Sequence, residues 1–335
     1  MVSAIAIEKG FEEFISGKVS FDDFALGLFH FQASENEIYN KYLSLINCEP
    51  DQIKNIDQIP FLPINFFKNH KIVTTDYAPA QIFKSSNTTG QTPSHHYIKS
   101  IDHYLRNTVR IFEEKICTLK GTVVIGLLPS YLERSDSSLV CMVDHFIKKS
   151  DESLSGFHLY DFDKLIIDLL AAQKEGKAVV LFAVRYALLE LAEKYQITLD
   201  HVTIIETGGM KGKRGPVTNE DLAEVVNSKL EPSSLVSEYG MTELQSQAYS
   251  DKKFIFDIPD TMQVLISDLN DPFTHVREGR NGQLNVIDLA NLYSCAFIAT
   301  DDMGIKLSNN KFRILGRLDH SEQRGCNLLV ADVIT

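Results

Sequence analysis

The chain has 335 residues, 44% of them hydrophobic and 23% charged, ordinary globular proportions that exclude disorder and fibrous repeats. A balance of 33 basic against 45 acidic residues gives a net charge of −12, which sets aside a broad nucleic-acid face, because phosphate binding needs clustered Lys and Arg. No apolar run approaches the ~18 residues of a membrane span, and Glu8, Glu12 and Glu13 argue against a signal peptide.

Residues 1–75 are expected to be a helical N-terminal layer, part of the main body. Ile5, Ile7, Phe11, Phe14 and Ile15 recur at helical spacing, as do Phe24, Leu26, Leu28 and Phe29. The layer ends in Ile59-Pro60-Phe61-Leu62-Pro63, where two prolines impose extended backbone. The body, 76–335, alternates at first. Short apolar runs at 122–127, 178–182, 202–206 and 235–239 are separated by amphipathic stretches at 165–172, 187–195 and 222–230. That pattern predicts an α/β fold with a parallel sheet of βαβ units and flanking helices. Beyond about residue 250 short strands at 254–256, 264–266 and 284–287 are divided by Asp271-Pro272, Glu278-Gly279 and Asn281-Gly282, so the last third is expected to be antiparallel β.

Three segments are rich in chemistry. Phe83-Lys84-Ser85-Ser86-Asn87-Thr88-Thr89-Gly90-Gln91-Thr92-Pro93-Ser94 can wrap anionic oxygens with hydroxyls and backbone N–H groups. It lacks GxxxxGK[ST], so it is no Walker A loop, and its composition also suits an ordinary surface loop. Ser237-Glu238-Tyr239-Gly240-Met241-Thr242-Glu243 follows a predicted strand, at the edge where open α/β sheets collect ligands. Tyr offers a face for a base, Thr a donor to phosphate and Glu a ligand for Mg²⁺; a plain turn into a helix is the alternative. Thr300-Asp301-Asp302-Met303-Gly304 and Ile314-Leu315-Gly316-Arg317-Leu318-Asp319 offer a carboxylate for ribose hydroxyls and an Arg for phosphate, or else two β-turns.

The order of these segments, with Glu206-Thr207-Gly208-Gly209 between the first two, resembles the adenylate-forming superfamily of acyl-CoA synthetases and luciferases. Within it the chain resembles the acyl-protein synthetases of bacterial bioluminescence, the LuxE family. That narrower likeness lies in Ile59-Pro60-Phe61-Leu62-Pro63, Phe83-Lys84-Ser85-Ser86, Leu128-Pro129-Ser130-Tyr131-Leu132-Glu133-Arg134, Glu206-Thr207-Gly208-Gly209-Met210-Lys211-Gly212, and Gly316-Arg317 through Arg324-Gly325-Cys326. It implies the superfamily's large-domain fold and ATP-dependent conversion of a carboxylic acid, expected to be a fatty acid, to an acyl-adenylate, then transfer to a thiol. Ser85, Ser86, Asn87, Thr88, Thr89 and Gly90 would hold pyrophosphate, and Gly208 and Gly209 would wall the adenine from the acyl pocket. Tyr239, with Gly240, would stack on adenine. Thr242 would meet the α-phosphate, Glu243 would hold Mg²⁺, Asp302 the ribose hydroxyls and Arg317 ribose or phosphate.

One position departs from the superfamily. Where its phosphate loop ends in Lys, this chain has Ser94 and His95, leaving Lys84, Lys211 and Lys213 as unassigned cations. The five cysteines, Cys48, Cys117, Cys141, Cys295 and Cys326, are odd in number and never in CxxC, which suits a reducing, cytoplasmic setting. By resemblance, Cys326 would carry the acyl group, with Arg324 lowering its thiol pKa; a small apolar filler is the alternative. Cys295 is expected in a buried strand and the other three on helices. His95, His96 and His103 lack metal-site company and are expected at the surface or facing phosphate, and the absence of GxSxG removes the nucleophile elbow of a serine hydrolase. Three functions are weighed: an acyl-protein synthetase, a ligase delivering to coenzyme A or a carrier protein, and a non-catalytic nucleotide-binding scaffold. An acyl-reductase or acyl-carrier protein and a homo-oligomer are the partners considered. The chain stops sixteen residues beyond Asp319, so the superfamily's C-terminal lid domain is expected to be absent.

Overall fold

The computed structural model describes residues 4–86, 92–128, 136–208, 217–251 and 253–318. Helices α1 (Ala4–Ile15), α2 (Phe21–Glu35) and α3 (Glu37–Leu45) open the chain. The Ser20 side chain caps α2 by accepting from the Asp23 N–H, and Asn36 ends α2 and caps α3. The helical expectation for 1–75 holds as far as Leu45. Beyond it come two single 3₁₀ turns, the two-residue strand β1 (Leu62–Pro63) and one turn of helix, α4 (Phe66–Asn69), since Pro50, Pro60 and Pro63 remove helical donors.

The hydroxyl-rich segment proves to be the connection of a hairpin, β2 (Gln81–Lys84) against β3 (His95–Ile98). The α/β region follows, with the four predicted strands and a fifth, β5, that the apolar runs did not mark: α5 (Ile101–Lys115), β4 (Val123–Leu127), α6 (Ser138–Ser150), β5 (Gly156–His158), α7 (Phe162–Lys174), β6 (Val179–Val184), α8 (Arg185–Lys194), β7 (Leu199–Thr207), α9 (Asn219–Lys229) and β8 (Pro232–Tyr239). Its strands lie in the order β8-β7-β6-β4-β5, all parallel, with β4 and β6 buried along their whole length.

The last third is antiparallel as expected: β9 (Ala248–Ser250), β10 (Phe256–Asp257), β11 (Met262–Ser267), β12 (Asn281–Asp288), β13 (Phe297–Leu307) and β14 (Lys311–Arg317) extend the same sheet as β11-β12-β13-β14-β10-β9-β8, and β1 lies parallel to β13. Three segments read as turns are strands instead: Asn281-Gly282 opens β12, 300–304 lies within β13, and Gly316 and Arg317 close β14. Asp302 stands opposite Arg317, and a bulge falls between Met303 and Gly304. A Cβ on Gly304 would sit 2.9 Å from the Arg313 carbonyl oxygen, so this glycine serves close strand approach rather than a turn.

Strand β8 is where the two halves join. Leu235 and Val236 belong to the core under the parallel sheet, while Tyr239 belongs to the core shared by the antiparallel strands and the N-terminal helices. In that second core the rings of Phe29 and Tyr39 pack on Phe297. Gln32, fully buried, stitches α2 to the turn before β13: its amide donates to the Asn291 and Leu292 carbonyls and accepts from the Ala296 N–H. Cys295 is buried but sits in that turn rather than in a strand, and Cys48 and Cys117 lie just past their helices; only Cys141 is helical as expected.

Candidate active site

A cavity of about 850 Å³ opens at the carboxyl ends of the parallel strands, where β8 passes from β7 to β9. Tyr239, Asp302 and Arg317, far apart in sequence, meet on its wall. The Tyr239 hydroxyl donates to Asp302 Oδ2 at 3.0 Å, and Arg317 Nε lies 3.5 Å from Asp302 Oδ1. Burial pushes the Asp302 carboxyl up, and the Arg317 guanidinium and the phenol draw it back. The Tyr239 ring is set edge-on against Phe256 and Phe312, so its position is fixed by packing.

A second group surrounds Glu243, which is 5% exposed. Burial raises its pKa, while the Ser94 hydroxyl and the Lys68 ammonium favour its charged form. Lys68, on α4, lines the cavity and forms no ion pair among the described residues. Lys84 also lines it, 3.6 Å from Asp136. The mouth of the hydroxyl-rich hairpin is closed by two bonds: Ser85 N–H to the Ser94 carbonyl, and Ser94 N–H to the Ser85 hydroxyl. Ser86, Gly208, Gly240 and Thr242 line the cavity. Asn87, Thr88, Thr89, Gly90, Gly209, Lys211, Lys213 and Cys326, with the 129–135 stretch, lie outside the described residues.

Three charged residues on the cavity wall, Arg185, Glu206 and Glu238, carry no role in the sequence reading. Glu206, at the end of β7, accepts from Arg185 Nε and from the Ser237 hydroxyl, each at 2.9 Å, and Arg185 also donates to the Asn219 side chain. One strand over, Glu238 accepts from the Thr207 hydroxyl at 2.6 Å.

His96 corrects the expectation of surface histidines. It is fully buried, with Nδ1 bonded to the Thr242 carbonyl and Nε2 facing Asn291 Oδ1. His103 packs against Phe11 and bonds the Ala290 carbonyl. The signal was present in the two-residue alternation of β3, which turns His96 and Ile98 inward. Lys68 had no such signal, being tied to the site only through the placement of α4. Among the described residues no group of three or more His, Cys, Asp or Glu is arranged for a metal. Glu243, on the cavity wall, offers a carboxylate oxygen of the kind Mg²⁺ takes together with phosphate and water oxygens.

No protein-family model matches the chain. It is 22% identical to the long-chain-fatty-acid--luciferin-component ligase of Aliivibrio fischeri, over 91% of this chain and 86% of that one. Among solved structures it is similar to ATP-bound MatB from Rhodopseudomonas palustris (TM-score 0.52, 18% identity, 73% of this chain and 50% of that one). It is also similar to a long-chain-fatty-acid-CoA ligase from Archaeoglobus fulgidus (TM-score 0.52, 14% identity, 71% and 51%). A 2-hydroxyisobutyryl-CoA ligase in an open conformation aligns over 90% of this chain and 70% of its own, with a TM-score of 0.65 and 12% identity. The chain thus spans about half the length of the first two structures. It has the fold of the adenylate-forming acyl-CoA ligases, and its likeness to a LuxE-type acyl-protein synthetase runs over 91% of its length.

Proposed function

We propose that this protein activates a carboxylic acid with ATP and passes the acyl group to a thiol. One acid oxygen bonds to the α-phosphorus, the bond to pyrophosphate breaks, and the mixed anhydride is then opened by a thiolate with loss of AMP. The observation that carries this reading is the convergence of Tyr239, Asp302 and Arg317 with Glu243, Ser94 and Lys68 on one cavity at the sheet edge.

In it, Asp302 receives the ribose hydroxyls, with its charged form held by Arg317 and the phenol. Tyr239 and Gly240 form the adenine seat, Gly208 and Gly209 the wall beside it, and Ser85 to Gly90 the pyrophosphate cradle. Thr242 meets the α-phosphate. Bringing two anions together requires countercharge aimed at the site of reaction. Mg²⁺ bound at Glu243 would supply part of it, and Lys68 supplies the rest, in place of the lysine that Ser94 replaces. Residues 76–335 form the adenylation body in this reading, with 1–75 packed upon it.

The acceptor thiol is assigned to Cys326. Coenzyme A or a carrier protein is the second acceptor class, and an acyl-reductase the natural recipient of a protein-bound acyl group. No helix among the described residues is long and apolar enough to cross a membrane, and a cytoplasmic location, with self-association into a homo-oligomer, completes the proposal. Acid-dependent exchange of pyrophosphate into ATP tests the first half-reaction. Binding of ATP with no exchange for any acid would leave a nucleotide-binding scaffold. Cys326→Ser separates the acceptors: it should abolish covalent acyl-protein if Cys326 is the carrier, and leave turnover intact with a diffusible thiol.

A further inference from the structure

We infer that Glu238 selects a carboxylic acid whose chain carries a hydrogen-bond donor, a hydroxyl or an amine, over an unbroken alkyl acid. This rests on the acid-activation reading above and adds the substrate class to it.

Glu238 and Tyr239 are successive residues at the end of β8, so their side chains leave opposite faces of the strand. Tyr239 turns to Asp302, Phe256 and Phe312, the face assigned to the nucleotide. Glu238 turns the other way. Its charge is felt by the buried phenols of Tyr104 on α5 and Tyr249 on β9, both pushed up mainly by burial and further by this carboxylate. Tyr104, Leu139 and Met142 wall the cavity on that side, which leaves this compartment for the acid.

Among the described residues, the compartment is not lined by apolar side chains alone. Oε2 of Glu238 accepts from Thr207, but Oε1 accepts nothing from the described residues. It lies over Gly240, where a Cβ would stand only 2.9 Å from it. The neighbouring Glu206 has its charge answered by Arg185; Glu238 has no cation among the described residues. Burial, then, with Glu206 close by, pushes its carboxyl up to about 7, against the pull of the Thr207 hydroxyl. An alkyl chain laid against Oε1 would take it out of water with nothing in return, a cost that a donor on the ligand removes. Space argues the same way. The whole cavity, about 850 Å³, is of the ~300–1,000 Å³ size that holds one ligand, and the nucleotide must share it. The bonded Glu206–Arg185–Asn219 group takes up part of its wall.

The test is pyrophosphate release by the full chain with butyrate, octanoate and palmitate, each against its hydroxy- and amino-substituted counterparts, for the wild type, Glu238→Leu and Glu238→Gln. The KM for ATP is measured in parallel, and thermal melts check folding. In the wild type, kcat/KM for the best substituted acid should exceed that of its parent on the order of tenfold or more. Glu238→Leu should cancel or invert that preference. The near-isosteric Glu238→Gln, which reads the carboxylate even if the leucine variant fails to fold, should keep hydroxy acids and lose amino acids if an amine is the donor, and keep both if a hydroxyl is. Unsubstituted acids turned over as well as or better than substituted ones by the wild type would overturn the inference while leaving acid activation standing. So would a Glu238 variant that raises the KM for ATP with acid preference unchanged, since the carboxylate would then serve adenine. No release with any acid would defeat the acid-activation reading, and the inference with it.

Discussion

His96 Nδ1 lies 2.8 Å from the carbonyl oxygen of Thr242, which ties the strand returning from the hydroxyl-rich hairpin to the segment bearing Thr242 and Glu243. Asn291 fixes the other side of the ring. Its amide nitrogen donates to the Glu243 and Cys295 carbonyls, so its oxygen is what faces His96 Nε2. Only an imidazolium could donate to both oxygens. Burial outweighs those bonds and holds the His96 pKa at about 4, below its ordinary 6.5. The unfolded chain therefore binds more protons than the fold between about pH 6.5 and 4, and stability falls as pH drops through that window. The component amounts to about 3 kcal/mol once both values are passed. Urea melts from pH 7 to 4 should show this slope in the wild type and lose it in His96→Asn. Equal slopes in the two proteins would remove His96 as the source.

Lys68 and Glu243 give a kinetic prediction. The ammonium favours the Glu243 carboxylate, so Lys68→Met should raise the Glu243 pKa and move the acid limb of the kcat/KM profile to higher pH. Loss of a preorganised countercharge should also lower kcat, toward the ~10²–10³-fold seen for such groups. Lys68→Arg, which keeps the charge, should restore the position of the limb. A profile unmoved in Lys68→Met would mean that Glu243 is not the titrating group or that Lys68 does not reach it.

For nucleotide binding, Asp302→Ala removes the acceptor assigned to ribose and leaves Arg317 without its carboxylate. Hydrogen bonds to a charged group contribute about 1.5–3 kcal/mol, which predicts a loss of ATP affinity of tenfold or more by calorimetry. Tyr239→Phe removes one donor to Asp302 and keeps the ring, so its loss should be smaller. Equal affinities for wild type and Asp302→Ala would place the ribose elsewhere.

Much of this site could be read from the chain. The β4, β6, β7 and β8 runs are apolar and β-branched, and they announced a parallel sheet with Tyr239 and Glu243 at its edge. Asp302 and Arg317 stand out in the sequence as chemistry but not as strand residues, because Asp-Asp and Gly spell a turn unless a bulge lets the strand continue. The unread parts depend on distant segments. Lys68 sits on a four-residue helix, too short for hydrophobic periodicity to mark. The Glu206–Arg185 pair and Glu238 emerge only when β7 and β8 are laid side by side.

The support of the site can be tested far from it. Gln32 on α2 is fully buried and bonds three backbone groups of the turn that contains Asn291. Gln32→Leu keeps most of the volume but strands the Ala296 N–H and the Asn291 and Leu292 carbonyls away from water. At about 1–3 kcal/mol for a stranded group, partly relieved by local movement, the expected cost is about 2–4 kcal/mol. The same turn carries the Asn291 side chain that holds the Glu243 carbonyl and faces His96, so the damage should reach the site. Urea midpoints should fall, and acid-dependent pyrophosphate exchange should weaken even where the variant is fully folded. A destabilised variant with unchanged exchange would show that the N-terminal helices support the core without positioning Glu243.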